Sequence, residues 1–463
     1  MDTLLKNFGV ERVEKLSKNN SEPEWLRDFR LSSFEFFKNL PVETSELFKK
    51  YVNLDGINWE QFDFSKSDGT KIPEDFKFLF PENNNHVAIC NSNVLEIPSS
   101  VEKDGIVFLD IKTAIQKYPD ICKNYFANKI LKPKESKLVA FNNTFFNSGF
   151  FLYVPDNKNI TVPLRVVSIT TPENSLGVNQ NLIVVGKNSK LILIEEEYSK
   201  TSGKQTLLSN VTDIHLKDGA EVTLGNIHSL DENTILLVNK KVLLEKDSKI
   251  FFSSGFFGGK LTLSYLDSVL KGDGSAVEDY EIVFGGNEQQ FNLSSNLFHE
   301  GASTRGKVMA KGVFGDKSKG LFRGMININK NAKNSNSYVS GHSIILSKNA
   351  SSDAIPGLQI ENNDVKATHS ASVAQINEEQ VFYLMSRGFT EDQARKFVVS
   401  GFLEPVIKQI PLQEVVAIIK GLFEIKWNRK DLSELKETVV KISEEEITET
   451  SSKDIFEGHY KYR

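Results

Sequence analysis

Short runs of alternating apolar and polar residues dominate the middle of the chain. From about Phe150 to Ile376 they follow one another with little else between: "LIVVG", "KLILIEEE", "EVTLGNI", "KIFFSSG" and "YEIVFGG". They are rich in Val, Ile, Leu and Phe, which is the strand signal. Their turns repeat. "GKNSKLILI" from Gly186, "LKDGAEVTL" from Leu216, "EKDSKIFFS" from Glu245 and "KGDGSAVED" from Lys271 each give a polar turn with Asp or Asn, a small residue, then a strand. Aligning Ser189, Ala220, Ser248 and Ser275 gives a spacing of 27–31 residues, in the range of solenoid repeats. "KNAKNSNSY" from Lys330 and "SKNASSDA" from Ser347 echo the turn at a shorter interval.

This pattern predicts a mainly β fold: a parallel β-helix whose stacked coils bury one continuous apolar column. A β-sandwich also has alternating strands, but it does not call for the repeated turn. Exposed strand edges template aggregation, so the ends of the stack need covering, by the flanking helical segments or by a partner.

Helical periodicity brackets the β region. Trp25, Phe29, Phe36 and Leu40 recur near helical spacing within Glu22–Leu40, with Pro23 in the first turn and Pro41 after the last. Leu109–Tyr125 predicts a second helix, with turns at Ser65–Gly69 and Asn83–Asn85. After the β region, Asn377 is an N-cap with Gln380 at the capping-box position, and Gly388 is a helix stop. Thr390 with Gln393 caps the next helix, which Gly401 closes. Val381, Leu384 and Met385 share one face, as do Ala394, Phe397 and Val398. Pro411 opens a further amphipathic helix, and "SEEEITETSSKD" reads as a loose acidic tail. The chain divides into a mixed, helix-prominent domain (1–149), a β-helix core (150–376) and a helical domain with an acidic tail (377–463).

Composition narrows the function. The chain has 463 residues, 39% hydrophobic and 25% charged, enough for a core. A net charge of −5 argues against a general nucleic-acid binder. No apolar run nears the roughly 18 residues of a membrane span, and the N-terminus lacks a signal-peptide core, so the expected location is the cytoplasm. Cys90 and Cys122 form no CxxC motif and read as buried hydrophobes, too few for an iron–sulfur cluster of four thiolates.

Catalytic signatures are absent. "SGFFGGKL" from Ser254 fails the phosphate-loop pattern at its first and last positions, so no nucleotide site is expected. Asp213, Asp218, Asp231 and Asp247 fall mostly in turns, and Glu195–Glu197 reads as a solvated strand end, which disfavours a carbohydrate hydrolase or lyase. Of seven histidines, His342 and His369 are 27 residues apart, near the repeat length. On adjacent strands of one ladder they would lie about 4.8 Å apart and share a metal. Two unrelated surface histidines fit the same spacing.

Two long blocks resemble one family. "GVFGDKSKGLFRGMININKNAKNSNSYVSGHSIILS" and "LQIENNDVKATHSASVAQINEEQVFYLMSRGF" are similar to the SufB/SufD family of the SUF iron–sulfur cluster assembly system, as are "EPEWLRDFRLSSFEFFKNLPV", "VVSITTPEN" and "GFLEPVI". The junction around His369 looks more like SufD: Ser370 follows where SufB carries glutamate, and Gly341 stands where SufB carries a cysteine. Ala367 replaces a cysteine that SufD proteins often place before the junction histidine.

The resemblance implies a right-handed parallel β-helix flanked by helical domains, and a non-catalytic scaffold subunit. It implies pairing with a SufB-like paralogue through the β-helix and with the ABC-type ATPase SufC through the C-terminal helices, where Glu378, Gln380, Phe382, Arg387, Phe402 and Glu404 are candidate contacts. It makes His369, and more weakly His342, a candidate ligand for iron or a nascent cluster at the partner interface, with no tightly bound cofactor. A SufB-like homodimer working with SufC, and a purely structural β-helix protein, are the alternatives.

Overall fold

The computed structural model describes residues 8–41, 57, 59–62, 71–80, 86–98, 105–127, 130–171, 175–200 and 203–442. The expected turns at Ser65–Gly69 and Asn83–Asn85 and the acidic tail lie outside the described residues.

The N-terminal third holds helices α1 (Val10–Asn19) and α2 (Glu24–Asn39), strands β1 (His86–Cys90), β2 (Asn93–Glu96) and β3 (Val107–Asp110), and helices α3 (Ile111–Lys117), α4 (Pro119–Ala127) and α5 (Lys137–Phe145). The stripe that α2 buries is Leu26, Arg30, Ser33, Phe34 and Phe37, whereas Phe36 is exposed. Arg30 is fully buried. Its Nε and Nη2 donate to Glu22 at 2.8 and 2.7 Å, Nη1 donates to the Thr144 carbonyl at 2.9 Å, and its guanidinium stacks 3.9 Å from the Phe146 ring. The single helix expected over Leu109–Tyr125 is two. Asp110 ends β3 and caps α3 by accepting from Thr113 N, and the chain breaks at Tyr118 because Pro119 cannot extend the first helix.

The solenoid follows. Its first eight strands are β4 (Phe150–Val154), β5 (Leu164–Thr170), β6 (Leu176–Val185), β7 (Lys190–Ser199), β8 (Thr206–Leu216), β9 (Glu221–Ser229), β10 (Thr234–Leu244) and β11 (Lys249–Phe256). The next eight are β12 (Leu261–Leu270), β13 (Ala276–Gly285), β14 (Gln290–His299), β15 (Arg305–Phe314), β16 (Lys319–Ile328), β17 (Asn336–Ile345), β18 (Ser351–Ile360) and β19 (Lys366–Gln375). Each pairs in parallel with the strand two further on, so odd strands form one sheet and even strands the other, in eight two-stranded coils. A sandwich would have paired neighbouring strands antiparallel.

The register follows the repeated turn. Lys190, Glu221, Lys249, Ala276, Arg305, Asn336 and Lys366 stand one above the next, at spacings of 27 to 31 residues. The residue just before each of the first six is small and buried at the corner, whereas Val365 before Lys366 is half-buried, and Ser248 and Ser275 hydroxyls donate to the carbonyl three residues back at 2.7 Å. The turns adopt left-handed backbone, which favours Asn, Asp and Gly. At Gly219 and Gly274 glycine is also required sterically, because a Cβ would strike the side chains of Asn188 and Asp247. The shorter echo of the turn has a simple cause. The turn at Lys330 precedes an odd strand and that at Ser347 an even one, so they lie at opposite edges of the flattened coil.

Alternation buries both faces of each sheet. Inward residues such as Leu193, Leu224, Phe252 and Val308 make the axial core. The N-terminal domain covers the outer face of the even sheet, where Phe141 and Phe145 share a cluster with Leu182, Leu207 and Leu237. The C-terminal helices α6 (Glu378–Ser386), α7 (Glu391–Ile407) and α8 (Gln413–Trp427) lie on the outer face of the odd sheet, where Leu403, Ile407, Ile419 and Phe423 join Ile227, Ile282 and Phe284. Asn377 and Thr390 cap as expected, with Gln393 completing the capping box of Thr390, and Gly388 has φ +97° after α6. Gly401, expected to end α7, lies inside it. The buried stripe continues through Leu403, Val406 and Ile407, and tertiary packing outweighs both Gly401 and Pro405.

Candidate functional site

The two ends of the solenoid differ. At the N-terminal end the sheets finish in antiparallel pairs, β1 with β2 and β3 with β4, and the edge strands β2 and β3 have four residues each. At the other end β18 and β19 are the last strands of their sheets, ten residues each. The helices after β19 do not cap that end. They run back along the face of the odd sheet, with α7 against β13 and β15 and α8 against β9.

The open end exposes the start of the axial core. Leu358, Ile360 and Val373 are 38%, 43% and 44% exposed. His369 belongs to the inward column, stacked on Val339, which stands on Val308. Its imidazole therefore rises from the core into the open mouth, exposed on its upper side. Ala367 lies in the same inward set, partly buried. Gly341 also faces inward, and a Cβ there would come within 3.1 Å of Phe322 Cβ.

The expected pairing of His342 with His369 is not what the register gives. The two strands are adjacent, but His342 pairs with Ser372 and His369 with Val339. The coil is 30 residues long here, not 27, so the two histidines are three positions out of step, about 11 Å apart at the Cα atoms, and on opposite faces. His342 points outward and its Nδ1 lies 2.7 Å from Ser372 Oγ. Burial, then the neighbouring Lys311 charge, lowers its affinity for a proton. The two cannot share a metal. Among the described residues no three of His, Cys, Asp and Glu converge into a metal centre.

The candidate contacts on the C-terminal helices separate into two groups. Glu378, Gln380, Phe382 and Arg387 lie on the exposed hairpin of α6 and α7. Glu378 accepts from Arg395 at 3.0 Å, and Arg387 Nη2 donates to Tyr383 Oη at 3.0 Å. Phe382 and Phe397 are 72% and 61% exposed, and Tyr383, Met385 and Phe389 are exposed beside them. The shared faces expected for Met385 and Phe397 are thus corrected. Val381, Ala394 and Val399 take the buried positions, and Phe397 packs on Phe389, ring centroids 6.1 Å apart. Phe402 and Glu404 instead face the solenoid. Phe402 is half-buried, with Lys311 over its ring at 4.4 Å and bonded to its carbonyl. Glu404 borders a cavity of about 310 Å³ between α7, α8 and the odd sheet.

Acidic residues were harder to place from sequence. Asp213 is not in a turn but inside β8, buried and accepting from Leu131 N at 2.9 Å. Glu195–Glu197 is no solvated strand end. Glu196 points outward into a buried ion pair with Arg165 at 2.5 Å, and Glu195 and Glu197 point into the solenoid interior. The signal available was the apolar run on both sides of the acids, "KLILIEEEY", which marks a strand buried on both faces.

Comparison with known proteins bears on this architecture. The sequence pattern described as "SUF system FeS cluster assembly, SufBD core domain" matches residues 168–402, and "SufBD protein N-terminal region" matches residues 12–166. The chain belongs to the SufBD family. The iron–sulfur cluster assembly protein SufB of Bacillus subtilis is 29% identical over 88% of this chain and 90% of its own length. SufBD family proteins of Staphylococcus haemolyticus and Staphylococcus aureus are each 28% identical over 87% of this chain and 90% of their own. The core match spans the strands from β5 to β19 and runs on through α6 to Phe402 in α7. Thus the open end, His369 and the exposed hairpin all lie within the SufBD core. No helix among the described residues is long and apolar enough to cross a membrane.

Proposed function

We propose that this chain is a SufD-like, non-catalytic scaffold subunit of a cytoplasmic complex that assembles iron–sulfur clusters. Its open solenoid end takes a SufB-like paralogue, continuing both sheets across the joint. Its exposed helical hairpin takes the ABC-type ATPase SufC. His369 offers a neutral imidazole nitrogen to iron or a nascent cluster at the joint, while the partner supplies thiolate. Nothing is held tightly by this chain alone.

The observation that carries the reading is the uncapped end. Among the described residues nothing pairs with the outer edges of the ten-residue strands β18 and β19, which lie beside exposed Leu358, Ile360 and Val373. Such an edge is a template for another strand. The hairpin supports the second contact, because clustered exposed aromatic residues are the usual centres of protein interfaces.

Co-expression with a SufB-like protein and SufC, followed by size-exclusion chromatography, tests it. The expected result is one complex. Ala371→Pro, placed on the β19 edge, detaches the SufB-like subunit and leaves SufC bound. A chain that binds neither protein overturns the proposal.

The Bacillus subtilis relative named SufB favours a second reading, a SufB-like scaffold acting as a homodimer with SufC. Gly341 weighs against it, since the thiol expected there is missing. Cluster reconstitution on the purified chain without any SufB-like protein distinguishes the two: formation supports the homodimer, and none supports the SufD-like role.

A further inference from the structure

The outer face of the odd sheet carries a buried ion pair that neither proposed partner contact uses. Arg165 on β5 and Glu196 on β7 point away from the axial core, and Tyr198 stands two residues beyond Glu196 on the same face. Glu196 is 2% exposed and Tyr198 is fully buried. Nε and Nη2 of Arg165 both meet Glu196 Oε1, at 2.7 and 2.5 Å, and Tyr198 Oη donates to Oε2 at 2.8 Å. Such a pair adds little stability over apolar residues of the same volume, because both charges are taken out of water. What it does is hold the guanidinium in one orientation. A guanidinium offers two edges, each with two parallel N–H donors matched to a carboxylate. Glu196 takes the Nε–Nη2 edge. Among the described residues nothing accepts from Nη1, so the Nη1–Nη2 edge stays open.

Arg165, Glu196 and Tyr198 border a cavity of about 490 Å³ between the odd sheet, α8 and the helix at 435–442. Pockets of a few hundred Å³ or more, mostly apolar with a few convergent polar groups, are the usual form of a small-molecule site. The walls here are aliphatic: Leu79, Ala417, Ile418, Leu435, Val439 and Val440. Two further charges stand at the rim, Glu414 on α8 and Lys436, both exposed. Neither makes a hydrogen bond or an ion pair among the described residues, although the Glu414 charge acts on Arg165. Aliphatic walls beside a fixed, half-used guanidinium complement an aliphatic chain that ends in a carboxylate.

We propose that this cavity binds one medium-chain fatty acid, its carboxylate paired with the Nη1–Nη2 edge of Arg165 and its chain laid along the aliphatic walls. Glu196 and Tyr198 are positioning residues, which set the guanidinium edge before the ligand arrives. Lys436 adds positive charge at the rim, and Glu414 is the carboxylate that the ligand must outcompete. The site lies on the outer face of the odd sheet, apart from the open end of the solenoid and from the exposed hairpin. It does not rest on the proposed function, and its ligand is a small molecule where that function calls for proteins.

Isothermal titration of the delipidated full chain with sodium decanoate tests the site. One decanoate per chain is expected. Decanol, of the same length but uncharged, should bind about tenfold or more weakly, since it forgoes the charge-assisted pair with Arg165. Glu414→Gln alters only an exposed side chain and should tighten decanoate binding, because the competing charge is gone. Ala417→Trp fills the cavity and should abolish binding, with circular dichroism establishing that the variant is folded. No decanoate bound by the parent, equal affinity for decanol, no gain with Glu414→Gln, or full binding by folded Ala417→Trp overturns the proposal and leaves Arg165 and Glu196 a structural pair. The decanol comparison uses the parent chain, so it decides even where Ala417→Trp fails to fold. None of these results bears on whether the chain joins SufB-like and SufC partners.

Discussion

Asp279 and Glu281 point into the solenoid interior from the same strand, two residues apart, and among the described residues neither pairs with a lysine or arginine. Ser295 Oγ donates to Glu281 at 2.8 Å, while both Asp279 oxygens are buried with no hydrogen-bond partner among the described residues. Burial pushes Glu281 up to about 7, and burial followed by the Glu281 charge holds Asp279 well above the usual carboxylate range. The unfolded chain ionises a glutamate near 4.3. Between that value and about 7 the native state keeps a proton that the unfolded state has lost, so stability falls as pH rises. Glu281→Gln should flatten this slope, raising stability at pH 7 by on the order of 3 kcal/mol relative to pH 4 behaviour. Urea midpoints from pH 4 to 8 measure it, and equal slopes in variant and parent refute it.

A buried lysine acts in the opposite direction. Lys426 on α8 donates to the carbonyls of Phe257 and Phe284 and to Gln289 Oε1, fastening the helix to the odd sheet. Burial drives its ammonium down to about 7, against the raising influence of Glu232 and Asp316. The unfolded lysine titrates near 10.4. Between about 7 and that value the unfolded state binds more protons, so stability rises with pH. Lys426→Met should remove the alkaline rise and leave the acidic slope intact, in the same urea series extended to pH 10.

Arg30 anchors the N-terminal motif. Removing it strands the buried Glu22 carboxylate and frees the Thr144 carbonyl. Arg30→Ala should cost about 3–5 kcal/mol, the usual penalty for breaking a buried pair. Arg30→Lys should rescue little, because an ammonium cannot make the three-way contact with Glu22, Thr144 and the Phe146 face. Thermal melts of the two variants check this.

His369→Ala should leave the melting temperature almost unchanged, since the side chain is exposed at the open end. In the co-purified complex it should abolish cluster formation followed by absorbance, without dissociating the subunits. Normal cluster yield removes the ligand role, and His369→Gln behaving like the parent indicates a hydrogen-bonding role alone.

Phe382→Ser with Phe397→Ser should weaken SufC capture at least a hundredfold, because both side chains are exposed at the centre of the hairpin patch. Phe402→Ser should instead destabilise the chain, as its ring packs under Lys311. Pull-down and melting curves separate the two effects.

The solenoid was legible because its turns are constrained as strictly as its strands. A left-handed corner followed by a buried small residue leaves a recurring mark, as at Asn188–Ser189 and Asp247–Ser248. Coil length was less legible, since it varies from 27 to 31 residues between neighbours, and three residues were enough to separate His342 from His369. Glu195–Glu197 misled because acids rarely enter a core, and the partners that admit them, Lys240, Asn210, His228 and Arg165, come from other coils. Gly401 misled because a local stop signal was outweighed by contacts with β13 and β15.

The two unlike ends of the stack set a limit on growth. One is finished by the chain's own short antiparallel strands, and among the described residues nothing covers the other. The two lateral faces are occupied by the helical domains. A body of this kind can lengthen only along its axis, and in one direction. When two such bodies meet bare end to bare end, each presents a finished end outward, and the assembly halts at a pair rather than a fibre.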